Sequence, residues 1–157
     1  MNHELDRLAK DVGLGDAARE SLRLAFGLAC ALRVGHLLED PAAAACLTVL
    51  DDFVHGRAGR EALDAAAREI AMVANRHRGS NSIDGTAHAA VSATYAVANA
   101  LAGRALEAAS YAAYATVYAY GGYAVNDPQA FEAEFAWQVN ALRELSPIVG
   151  AQFALPE

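Results

Sequence analysis

The sequence predicts an all-α protein: a single-domain antiparallel bundle of six to seven helices over residues 1–157. Three observations carry this. Helix starts and stops punctuate the chain, with Asp40-Pro41 and Asp127-Pro128 as caps followed by a proline suited to the first helical position, and Gly13, Gly56 and Gly103 as stops. Apolar residues recur three and four apart, as in Leu63, Ala66, Ile70 and Val73. No segment alternates with period two among β-branched residues, so no strand is expected.

Taken in order, residues 1–15 read as an N-terminal extension or a short helix over 2–12, ended by Gly13 and Gly15. Asp16 is placed to cap a long helix running to about Glu39, with Leu22, Phe26, Ala29, Leu32 and Val34 on its buried side. Asp40-Pro41 opens the next helix, which reaches about His55 before Gly56. Residues 58–77 follow as a helix. "RHRGSNSIDG", 76–85, is the clearest break, because Gly, Ser and Asn favour loops. Helices are expected at 83–102, capped by Ser82 or Asp84, and at 104–120, with Gly103 between them. A loop at 121–127 precedes the last helix, 128–145, which Ser146-Pro147 should end, leaving 147–157 as a tail. The small side chains of 83–102 and 104–120 predict two central helices in close approach.

Composition narrows the function classes. The chain is 55% hydrophobic, much of it alanine, which forms helices well and fills cores poorly. No run nears the ~20 apolar residues that cross a bilayer, and the charged start "MNHELDRLAKDVG" does not read as a signal peptide. A cytoplasmic location with no membrane partner is the expectation. The net charge is −7, and residues 79–157 carry 7 acids against 2 bases. An acidic surface opposes nucleic acid and would steer a basic protein toward it. Cys30 and Cys46 lie in helical patterns and read as small buried hydrophobes; a disulfide would need their helices side by side.

Two polar stripes stand out. At 100° per residue, Arg104, Glu107, Tyr111, Tyr114 and Tyr118 fall within about 80° of one helix face. Leu106, Ala109, Ala113, Thr116, Val117 and Tyr120 lie opposite. The preceding helix places Asp84, His88, Ser92, Tyr95 and Asn99 on one side, with Ala90, Ala93, Val97 and Leu101 opposite. A hairpin at Gly103 would set the stripes side by side, Asn99 near Glu107 and Tyr95 near Tyr111. These nine residues, Arg104 aside, are the candidate partner-binding face, because tyrosine joins a rigid ring to a polar tip. The acids Asp84, Glu107, Glu132 and Glu134 would orient a basic partner. The competing reading covers the tyrosines with neighbouring helices.

Catalytic and metal chemistry find little footing. Asp51 with His55, and His36 with Glu39, are the helical pairs closest to a ligand set, and HExxH, CxxC and repeated ExxH are missing from the sequence. GxSxG and a glycine-rich phosphate loop are missing too. The expectation is a non-enzyme with no catalytic residues, no metal site and no cofactor.

Four stretches, "LACALRVGHLLED", "LDDFVHGRAGREAL", "AHAAVSATYAVANALAGRALEAASYAAYA" and "FEAEFAWQVNALRELSP", resemble in their order an Ala-rich helical family of immunity proteins, of the Imm5-like kind, encoded beside secreted toxins in bacterial polymorphic toxin systems. The likeness covers roughly residues 25–147. The family's Pro-Arg helix start appears here only as "EDPAAAAC". The resemblance implies neutralisation of a cognate protein toxin by occlusion. A small-molecule-binding or resistance protein using the Tyr/His/Asn face of the 83–120 hairpin is the alternative, and a scaffold or homodimerisation module is a third.

Overall fold

The computed structural model describes residues 1–76 and 86–153. Among them are seven α-helices and no strand: α1 (His3–Asp11), α2 (Glu20–Arg33), α3 (Pro41–Val54), α4 (Arg60–Arg76), α5 (Thr86–Leu101), α6 (Ala105–Tyr120) and α7 (Glu132–Phe153). Asn2 caps α1 by accepting from Leu5 N, and Asp40 caps α3 by accepting from Ala42 N. Gly56 and Gly103 take positive φ, which a side chain disfavours, and so end α3 and α5. At Gly103 the Arg104 amide donates back to the Asn99 carbonyl at 2.9 Å, closing the last turn of α5 as the chain reverses.

The hairpin α5–α6 has the most extensive helix–helix contact and sits at the centre, as its alanines predict. Ala93, Ala96 and Ala100 of α5 and Ala105, Ala108, Ala109, Ala112 and Ala115 of α6 are buried. α2 crosses their inner side. A Cβ on Gly27 would stand 3.2 Å from the Ala100 backbone, a close approach that glycine accommodates without a shift. α2 is a wall shared by two cores. Leu22, Phe26 and Cys30 face α1, α5, α6 and α7, while Leu24, Leu28 and Ala31 face α3, α4 and α5. On α4, Leu63, Ala66, Ile70 and Val73 are all buried, as their spacing requires.

Five expectations need correction. The 16–39 segment is not one helix: a 3₁₀ turn at Ala17–Arg19 precedes α2, and another at Gly35–Leu37 follows it. The Asp16 side chain caps nothing, and its carbonyl instead accepts from Arg23 Nη1. Leu32 is 49% exposed, because it falls in the last turn of α2 in the arc between the two buried faces. The last helix starts later and runs longer than 128–145. Asp127-Pro128 opens a 3₁₀ turn, and α7 passes through Pro147 to Phe153. Pro147 is exposed, so the missing hydrogen bond to the Arg143 carbonyl falls on the solvent side. Tyr120, expected on the packed side of α6, is 75% exposed, since it ends the helix beyond its neighbours. The caps proposed at Ser82 and Asp84 lie outside the described residues.

Candidate binding face on the α5–α6 hairpin

Because α5 and α6 pack through alanines, their larger side chains are left on the outer side of the hairpin. There the two stripes meet as rings. Tyr95 stacks on Tyr111 with centroids 5.2 Å apart, as the hairpin reading expects, and His88 stacks on Tyr118, also at 5.2 Å. Tyr114 stands between them along α6, 6.3 Å from Tyr118, and meets Phe131 edge-on at 5.2 Å. Phe131 in turn packs on Phe135 of α7. Tyr111 is 38% exposed and Tyr114 43%; His88 is exposed, Tyr95 and Tyr118 half-buried. The row is therefore partly covered, and neighbouring rings hold each ring in place. Such offset and edge-on pairs add ~0.5–1.5 kcal/mol beyond burial.

Other members of the predicted face are placed differently. Ser92 and Asn99 are buried. Asn99 does not approach Glu107 as a partner: its amide donates to the Tyr95 carbonyl at 2.8 Å, and its Oδ1 accepts from Arg104 Nε at 2.9 Å. Asn99 therefore secures the α5–α6 turn, because a buried amide needs partners on both ends. Glu107 is exposed at the edge of the row, and Asp84 lies outside the described residues.

The acid expected to steer a partner, Glu134, is 4% exposed and committed internally. It accepts from Arg33 Nε and Nη2, both at 2.8 Å, a bidentate pair that ties α7 to α2. Arg33 also lies 4.1 Å over the Trp137 ring. The hydrogen-bonded carboxylate raises the guanidinium above its ordinary value. The same carboxylate, after burial itself, drives the nearby Cys30 thiol upward. Cys46 is buried in the other core and is pushed up to about 11, mainly by burial. Both cysteines are free. Glu132 is exposed and stays available beside Phe131.

Beside Tyr114 lies a feature the sequence reading passed over. A cleft of about 350 Å³ opens between the start of α1, one side of α6 and the start of α7. Asp6, Ser110, Tyr114, Phe131, Phe135 and Gln138 help to line it. The aromatic pair four apart in "FEAEF" was the available signal; nothing in the sequence pairs it with Asp6. Among the described residues no three His, Cys, Asp or Glu side chains converge as a metal site, and no helix is long and apolar enough to cross a membrane. His55 instead pairs with Asp51 at 2.8 Å on α3. No family model matches the chain, and no curated protein or solved structure matches it.

Proposed function

We propose that this chain is a non-catalytic, immunity-type protein that neutralises a cognate bacterial toxin by covering it with the outer face of the α5–α6 hairpin. One observation above all supports this reading. The rings of Tyr95 and Tyr111, and of His88, Tyr118 and Tyr114, form two stacked groups, partly exposed, on the same two closely packed helices. Binding energy concentrates on such aromatic anchors, and anchors already held in position lose little freedom when a partner docks. The net charge of −7 and the exposed acids Glu107, Asp127 and Glu132 favour a basic partner. The likeness of residues 25–147 to helical immunity proteins agrees with it.

The test is coexpression with the product of the neighbouring gene, which this reading requires to be a toxin. The wild-type chain is expected to restore growth and to form a complex on size exclusion, and Tyr111→Ala with Tyr114→Ala to lose both. Growth unprotected by a well-folded wild-type chain would overturn the proposal. So would a self-associated dimer that the same two substitutions dissolve and that the toxin leaves intact.

A further inference from the structure

We propose that the cleft between α1, α6 and the start of α7 receives an arginine side chain of the protein partner. The inference deepens the binding reading above: it takes that reading's partner and assigns the chemistry at one point of the contact.

The cleft shares Tyr114 with the aromatic row, so a partner seated on the row lies beside its mouth. Its lining combines an aromatic cluster with one anionic side chain. Tyr114 and Phe131 meet nearly at right angles, at 74°, and Phe135 lies against Phe131 at 5.4 Å. Ring faces attract cations, and the partly exposed Tyr114 ring is the one best placed to offer its face. Asp6 is the one anionic side chain among the lining residues, which also include Met1 with its α-amino group. Asp6 is half-buried on the first turns of α1, and the Ser110 hydroxyl and the Tyr114 phenol supply further acceptors. The Gln138 amide donates to the Ala109 carbonyl at 2.8 Å and accepts from Asn2, so the floor is already satisfied and needs no ligand polar group.

The chain uses the same combination twice on its own arginines. Arg33 lies over Trp137 and pairs with Glu134. Arg60 lies 5.0 Å over Phe53 and pairs with Glu20 across helices. In both, a planar guanidinium sits on an aromatic face while a carboxylate takes its N–H groups. The cleft presents rings from α6 and the start of α7 and a carboxylate from α1, with no arginine or lysine side chain of the described chain among its lining residues. Arginine fits better than lysine because its flat, weakly hydrated head stacks on rings and offers several donors in a fixed fork.

The experiment needs no toxin. Isotope-labelled full-length protein is titrated with N-acetyl-argininamide and separately with its citrulline counterpart, which keeps the shape and loses the charge. The ring signals of Tyr114, Phe131 and Phe135 are followed. The arginine probe should shift these rings saturably and bind ~5-fold or more tighter than the citrulline probe, the scale of one partly exposed charge pair. Asp6→Asn should erase that preference, and Tyr114→Leu should weaken the arginine probe while leaving the Phe131 and Phe135 signals dispersed as in a folded chain. Equal binding of the two probes, or no saturable shift at these rings, overturns the inference. Toxin binding without an arginine response removes this inference alone, whereas an arginine response in a chain that ignores the toxin removes the functional proposal.

Discussion

The two faces of the α5–α6 hairpin come from the same thirty-odd residues and do opposite things. The inner face is nearly all alanine, set against Gly27 and the α2 side chains. It gains close approach and contributes no directional chemistry. The outer face carries His88, Tyr95, Tyr111, Tyr114 and Tyr118, whose rings stack on one another. The difference teaches that small residues on one side of a helix pair release the large ones for the other. The inner face fixes where the rings stand, and the rings are then free to meet a partner.

That division can be broken from the inside first. Phe26 is fully buried and fills the space that the alanines of α5 and α6 leave against α2. Phe26→Ala is expected to lower unfolding free energy by ~3–5 kcal/mol in urea denaturation. A milder break is Gly27→Ala. Alanine gains ~0.5–1 kcal/mol as a helix former, but its Cβ would press on the Ala100 backbone at 3.2 Å, and overpacking costs ~1–3 kcal/mol. A net loss of ~1–2 kcal/mol is expected; a gain would mean that α2 and α5 slide apart freely.

The buried thiols sharpen the comparison through pH. Both are raised in the folded state, Cys46 to about 11, chiefly by burial. An unfolded thiol ionises near ~8.5. Above that pH the unfolded chain has shed protons that the folded chain still holds, so stability falls as pH rises. It is complete below pH ~8 and declines by up to ~1.4 kcal/mol per pH unit for each thiol from there toward the folded values. Urea unfolding at pH 8, 9 and 10 should show this decline, and Cys30→Ala with Cys46→Ala should flatten it. The outer rings should matter less to stability than Phe26. Tyr111→Ala is expected to cost ~1.5 kcal/mol or less, the worth of its one aromatic pair, and Tyr114→Ala, which loses pairs with Tyr118 and Phe131, up to about twice that, measured in the same assay.

Much of the fold was legible because caps, glycine stops and 3.6-residue spacing are local. Asp40-Pro41, Gly56, Gly103 and the Leu63–Val73 row each act where they stand. The failures came where a distant contact decided the matter. Arg23 donates to the Leu14 and Asp16 carbonyls where the chain turns into α2, the Asp16 side chain makes no cap, and α7 keeps its course through a solvent-facing Pro147. The stacked pairs Tyr95–Tyr111 and His88–Tyr118 follow from spacing plus a hairpin, and that much of the candidate face could be read in advance. Glu134 could not, because its partner Arg33 lies a hundred residues away on another helix. The cleft was equally hidden, since Asp6, Tyr114 and Phe131 are joined only by the docking of α1 and α7 on α6.

The central claim is that the outer rings serve binding while the inner alanines serve stability. It is tested most directly by measuring, on one set of proteins, affinity for the proposed toxin partner by calorimetry and thermal midpoint by circular dichroism for the wild type, Tyr111→Ala, Tyr114→Ala and Tyr118→Ala. The account predicts melting within a few degrees of wild type together with at least one ~30-fold or greater loss of affinity, the effect of a ~2 kcal/mol hot spot. Large drops in thermal midpoint for all three, with the remaining folded protein binding the toxin as tightly as wild type, would contradict it.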